Sequence, residues 1–239
     1  PSSRGLGDVY KRQIYESCMN NFQNVIYRNN AADFQVTNED ISRINYGDFG
    51  ALLATGTVLA CEPSRSATFL AFEKAKEAGL PIIFDIDYRP YSWSSPEIAS
   101  DVLTQAGKQS DLLIGNDEEF DFMAGGIKEG LNVAERLAKN SERIVIYKMG
   151  SKGAITFASG KEIHTGIFPA APVKPNGAGD SFMAGLLSSI SEGRDLKEAI
   201  CRGSACAAIV VSKPGCAPAM PTHDQLDAFM KKHPHPKRV

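Results

Sequence analysis

Short, continuously apolar runs alternate with helix-length segments along most of this chain, and that alternation restricts the fold more than any other feature. The runs at 52–59, 81–86, 112–114 and 143–148 lack the apolar-in, polar-out rhythm of a strand with one wet face. A strand apolar on both sides must be covered on both sides, and helices fit between these runs at 66–78, 96–106, 117–123 and 132–138. The expected class is α/β, with a mainly parallel central sheet and helices on both faces.

The flanks read differently. Upstream, 24–28 reads as a strand and 38–44 as a short helix behind a Thr37 cap. Downstream, 153–158 and 162–165 form a meander around Ser159-Gly160, followed by helices at 180–191, 196–211 and 222–231. Residues 1–13 lack periodicity, look like translated read-through and are set apart; 14–50 precedes the core, 51–233 is the α/β core, and 234–239 is a frayed tail.

With 43% hydrophobic and 23% charged residues, the chain of 239 suits one soluble domain of ordinary size. A net charge of -2 supplies no general attraction to nucleic acid or to an anionic membrane, so neither is an expected partner and any affinity for anions must be local. No run has the apolar length of a membrane span. Five cysteines without metal-ligand spacing read as reduced thiols, which points to the cytoplasm.

The local anion site is most legible at Asn176-Gly177-Ala178-Gly179-Asp180, where a loop turns into an apolar helix. Small residues there let consecutive backbone N–H groups converge on an anion at the positive end of the helix dipole, although most lone glycine loops are only tight turns. A carboxylate directly after such a cradle would repel a resting phosphate. It makes sense as the base that takes a proton from a hydroxyl attacking that phosphate, so Asp180 is the candidate base.

Three further segments fall at predicted strand ends, where ligands bind parallel sheets. Lys148, with Gly150 and Gly153 in the following turn, has the means to approach a nucleotide phosphate, or it is a solvated surface lysine. Asn116 and Glu119, one helical turn apart, either cap their helix or hold water ligands of Mg²⁺. Arg89 either clamps a carboxylate or phosphoryl group or forms a structural ion pair with Asp87.

Together and in this order, these segments resemble the PfkB (ribokinase-like) family of sugar kinases over roughly 24–223. The resemblance implies a ribokinase-like fold with the remnant of a small β lid in 14–50, and it gives the residues roles. Asp180 would deprotonate a terminal hydroxyl while Gly177, Ala178 and Gly179 hold the developing charge. Asn116 and Glu119 would organise Mg²⁺ through water. Lys148, Gly150, Gly153 and Asn176 would meet ATP, with adenine near 207–215, between Ala207 and Gly215. Asp87 and Arg89 would meet the sugar. Lys174-Pro175 stands where many members carry Asp-Thr, which bears on K⁺ as a further cofactor.

The Asp87–Trp93 run and the early 27–33 run resemble members acting on small keto-sugar acids, 5-dehydro-2-deoxygluconate above all, with 2-dehydro-3-deoxygluconate or fructose as alternatives. Subunits of the intact family protein often pair through the lid, so a homodimer is a candidate assembly. Family chains begin further upstream, which implies an N-terminally truncated copy of poor solubility and weak or absent sugar phosphorylation, or a non-catalytic nucleotide-binding fragment. A dinucleotide fold is disfavoured, because the glycine loop lies late, lacks G-x-G-x-x-G and ends in Asp.

Overall fold

The computed structural model describes residues 14–16, 24–26, 31–126, 128–139, 142–173, 176–234 and 236. The segment 1–13, residues 27–30, the Lys174-Pro175 pair and most of the 234–239 tail lie outside the described residues. The chain divides into two compact units, one running through Tyr147 with Phe157–Gly160 added, the other made of Lys148–Thr156 and everything from Lys161 onward. The main sheet has six strands in the order β3-β4-β5-β6-β7-β8 and is mostly parallel, as the continuously apolar runs require.

In the first unit, β1 (Ile14–Glu16) and β2 (Asn24–Ile26) pair antiparallel, with Ile14 opposite Ile26. Helix α1 (Asn38–Ser42) starts at Thr37 in a capping box: the Thr37 hydroxyl accepts the Asp40 N–H at 3.3 Å and the Asp40 carboxylate accepts the Thr37 N–H at 2.9 Å. Then come β3 (Leu52–Thr55), α2 (Ser64–Glu77), β4 (Ile82–Asp85), α3 (Pro96–Gln109), β5 (Leu112–Asn116), α4 (Asp117–Met123) and α5 (Gly130–Ala138), leading into β6 (Ile144–Lys148). Strands β3, β4 and β5 run parallel, with Leu52 opposite Ile82 and Ile83 opposite Leu112.

The core of this unit is built on β4 and β5. Ile82, Phe84, Leu113 and Ile114 are fully buried, and Phe72 of α2 meets Phe84 edge-on at 6.3 Å between ring centroids. Each such side chain contributes about 1.5–3 kcal/mol by leaving water.

One expected strand is shorter than its apolar run. The run at 52–59 leaves extended structure after Thr55 and enters a 3₁₀ turn over Gly56–Leu59. The turn opens at Gly56, which packs so closely that a Cβ would overlap the Ile86 carbonyl oxygen. Nor is the strand buried throughout: Leu53 is 47% exposed, because β3 ends the row of described strands.

The second unit contains β8 (Lys161–Thr165), α6 (Ala178–Ser191), α7 (Leu196–Val211) and α8 (His223–Lys232). Strand β7 (Ala154–Ala158) enters β8 through the expected Ser159-Gly160 turn, whose φ values of 50° and 71° match the two-residue hairpin connection. Helices α6 and α7 pack against each other unusually closely: a Cβ on Gly185 would lie 3.0 Å from Gly203 Cα, and one on Gly203 2.7 Å from the Phe182 carbonyl oxygen. Helix α8 closes a further cluster with Leu226, Phe229 and Met230 against Phe168, Ala205 and Ile209. Among the described residues no helix is long and apolar enough to cross a membrane.

Candidate active site

The candidate residues fall into two sets, one in each unit, and each set is a local construction. The second unit holds Lys148, Gly150, Gly153, Asn176–Asp180, Ala207 and Gly215. Gly177 adopts φ 81° and ψ 2°, a left-handed conformation that costs a side-chain-bearing residue roughly 1–2 kcal/mol, and so turns the chain into α6. It is the N-cap of α6 and supplies no side-chain hydrogen bond to the first-turn N–H groups. Ala178 and Gly179 are half-buried and Asp180, in that first turn, is exposed. The helix is held from below by Ser181 and Phe182, both buried.

Lys148 ends β6 and leans over the start of α6. Its ammonium lies 3.8 Å from the place a Cβ on Gly179 would occupy, and 5.9 Å from the centroid of the Phe182 ring. The glycine therefore leaves room for the cation beside the helix start, and the aromatic face adds a weak attraction. After Lys148 the chain makes a 3₁₀ turn, Gly150–Lys152, with Gly150 at φ 54°. Gly153, at φ 86°, is packed so tightly that a Cβ would overlap the Thr165 carbonyl oxygen. Its own carbonyl accepts the Met149 N–H at 2.8 Å, closing the turn.

Gly215, at φ 83°, is half-buried, and Ala207 sits half-buried within α7. Cys216 is the one participant here that the sequence does not announce: a Cβ on Gly177 would lie 3.1 Å from its Cβ and 3.4 Å from its Sγ. The glycine turn is thus backed by a small side chain from the segment after α7. Its only sequence signal is the adjacent Gly215.

The first unit holds Asp87, Arg89, Asn116 and Glu119. Of the two readings of Asn116 and Glu119, the capping one is realised as a full capping box: Asn116 Oδ1 accepts the Glu119 N–H at 2.8 Å and Glu119 Oε2 accepts the Asn116 N–H at 2.7 Å. Glu119 is only 7% exposed, and its Oε1 accepts the Tyr88 N–H at 3.3 Å. Among the described residues no cluster of three or more His, Cys, Asp or Glu side chains is arranged to hold a metal.

Arg89 and Asp87 form the ion pair foreseen as the structural alternative, at 2.6 Å, and Arg89 also donates to the Tyr88 carbonyl at 3.0 Å. The Arg89 side chain nevertheless remains 40% exposed, so pairing leaves its outer donors accessible. Asp87 has φ 33°, a rare conformation for a residue with a side chain and one that clusters at functional sites. Burial, followed by the charge on Glu97, raises the pKa of the intervening Tyr88, which keeps that phenol neutral at physiological pH.

Known proteins place these observations in a family. The pfkB family carbohydrate kinase model matches residues 18–223. The 5-dehydro-2-deoxygluconokinase of Geobacillus thermodenitrificans (strain NG80-2) is 38% identical over 211 residues, covering 87% of this chain and 63% of that protein. The chain thus spans less than two thirds of the length of such relatives. The fructokinase of Vibrio cholerae O395, solved with fructose, ADP and calcium ion bound, superposes with a TM-score of 0.78 at 25% identity, over 91% of this chain and 72% of that one. The fructokinase of Xylella fastidiosa, solved with bound ATP, gives 0.82 at 18% identity over 94% and 76%, a likeness of fold alone.

Proposed function

The chain belongs to the pfkB family of carbohydrate kinases, and from that premise we propose that the protein it represents transfers the γ-phosphoryl group of ATP to the terminal hydroxyl of a keto-sugar acid, 5-dehydro-2-deoxy-D-gluconate. The observation that carries the chemistry is the start of α6, where a first turn whose N-cap brings no side chain, the Lys148 ammonium and the Asp180 carboxylate lie together. Such a group of donors and one base matches what phosphoryl transfer needs, since little is asked of the protein beyond positioning and charge stabilisation. The substrate choice is supported by the relatives named 5-dehydro-2-deoxygluconokinase.

In this reading the substrate hydroxyl loses its proton to Asp180 as its oxygen bonds to the γ-phosphorus. The bond from that phosphorus to the bridging oxygen breaks, and ADP leaves. The N–H groups of Gly177, Ala178 and Gly179 meet the charge that grows on the phosphoryl oxygens, while Lys148, Gly150, Gly153 and Asn176 hold the nucleotide and Ala207 and Gly215 flank its base. Mg²⁺ would be held through water by Asn116 and Glu119, and when bound it supplies charge neutralisation on the phosphates. Arg89, held by Asp87, is offered to the anionic end of the sugar acid. K⁺ is a candidate cofactor for the same nucleotide element.

The decisive test is ADP release by the purified chain with Mg·ATP and 5-dehydro-2-deoxygluconate, 2-dehydro-3-deoxygluconate and fructose in parallel, with calorimetric titration of Mg·ATP alongside. Highest turnover on the first sugar acid supports the reading, whereas preference for either other sugar replaces the substrate. Nucleotide binding without sugar-dependent release would identify a nucleotide-binding fragment instead. A folded sample that neither binds nor turns over removes the nucleotide roles from this chain.

A further inference from the structure

We propose that helix α4 positions Arg89 through Tyr88, so that Glu119 is a positioning residue for the Arg89 segment in addition to its place in the Asn116 turn. Glu119 and Phe122 are three residues apart and therefore lie on one face of α4. From that face the Glu119 carboxylate accepts the Tyr88 N–H at 3.3 Å, and the Phe122 ring stacks on the Tyr88 ring with centroids 3.8 Å apart and 14° between planes. One helix thus grips Tyr88 at both its backbone and its ring.

The residues on either side of Tyr88 inherit that restraint. Asp87 is held at φ 33°, a conformation that persists only where its surroundings fix it. Arg89 is bound to Asp87 at 2.6 Å and to the Tyr88 carbonyl at 3.0 Å, so its guanidinium is referenced to a tripeptide whose middle member is clamped. The second Glu119 oxygen accepts the Asn116 N–H at 2.7 Å. A single carboxylate therefore ties the turn after β5 to the loop after β4, and its loss loosens both. The kinetic consequence rests on the function proposed above: removing the Glu119 acceptor raises KM for the anionic sugar as well as for Mg·ATP. The structural consequence needs no ligand.

Trp93, the one tryptophan of the chain, is buried at the end of the same segment with the Arg65 guanidinium 5.7 Å over its ring, so its fluorescence reports on the segment directly. The experiment uses the whole chain in metal-free, nucleotide-free buffer, with circular dichroism establishing that each variant is folded. Glu119→Ala and Phe122→Leu are expected to raise acrylamide quenching of Trp93 about twofold, as a buried ring in a loosened loop becomes accessible. Glu119→Gln, which keeps an acceptor oxygen but no charge, falls between wild type and alanine; a role confined to cation binding would leave all three like wild type. Glu118→Gln, on the exposed side of α4, leaves quenching unchanged. In the unmodified chain, hydrogen exchange at the Tyr88 amide is slowed about tenfold or more relative to an open loop. An unprotected Tyr88 amide, or unchanged Trp93 quenching in the folded variants, overturns the proposal, and the exchange measurement decides it even where a variant does not fold. None of these readouts depends on catalysis, so their failure is distinct from failure of the kinase reading.

Discussion

Helices α4 and α6 each start where a strand or loop turns into a helix, yet the two starts are finished in opposite ways. At α4 the first-turn donors are answered from within, Asn116 and Glu119 each accepting the other's N–H. At α6 the N-cap is Gly177, which has no side chain to offer, and a lysine ammonium stands beside Gly179. A helix start that satisfies itself is an anchor. One whose N-cap brings no side chain, next to a cation, is suited to an outside anion, which is why the proposed phosphoryl chemistry is assigned to α6 and the positioning of other groups to α4.

Removing the base from the open helix start gives the largest expected effect. Asp180→Asn should lower sugar-dependent ADP release by about 10²–10⁴-fold while calorimetry still detects Mg·ATP, because the amide keeps the shape and loses the proton acceptor. Loss of nucleotide binding in parallel would mean that Asp180 supports the cradle and not the chemistry. Next in size is the turn that shapes the open end. Gly177→Ala places a methyl 3.1 Å from Cys216 Cβ at a φ of 81°, so urea unfolding should show a loss of about 1–3 kcal/mol and nucleotide affinity should fall with it. The double variant Gly177→Ala with Cys216→Gly, referenced to Cys216→Gly alone, probes the steric part, since it preserves the backbone strain at 177 but removes the Cβ and Sγ that the methyl would meet. Equal losses in the single and double variants would show that the φ penalty alone is responsible.

The contrast between the two helix starts was only partly legible in the sequence. Periodicity located the elements well, reading α4 over Asp117–Met123 and α7 over Leu196–Val211 where the structure has them. The glycine turn was legible because φ near 80° leaves glycine as the usual choice. What the sequence withheld was contact between distant segments. The run at 52–59 gave no sign that Gly56 abuts Ile86, and β1, only three residues long, carries no apolar run to announce it. Asn116 and Glu119 read equally well as cap or ion site, since the same spacing serves both. The stacking of Tyr88 on Phe122, which links that cap to Arg89, joins residues 88 and 122 by tertiary packing alone. The family, by contrast, was readable from ordered motifs and is borne out by the match over 18–223.

At the closed helix start the expected effect is smaller. Asn116→Ala removes the acceptor for the Glu119 N–H and should cost about 1 kcal/mol in urea unfolding, the usual worth of an N-cap side chain. Asn116→Asp retains the acceptor and should recover most of that stability, as its charge also suits the helix dipole. If both variants match wild type, the α4 start is not anchored by its own box and the comparison with α6 fails.

The smallest effect comes from the exposed box at α1, which tests whether closed starts depend on pH as their chemistry requires. The Asp40 pKa is lowered, first by the Thr37 backbone N–H and then by the Thr37 hydroxyl, because both donors favour the ionised carboxylate. A carboxyl whose pKa is depressed by folding contributes stability above its unfolded pKa, and that contribution is lost as pH falls through the folded value. The Thr37 amide resonance should therefore shift on acidification with a midpoint below that of an unrestrained aspartate near 3.9, and Asp40→Asn should abolish the transition. The α6 start has no such cap to titrate. An Asp40 midpoint at or above the free value would mean that the box is open in solution, and the distinction between closed and open helix starts would then rest on α4 alone.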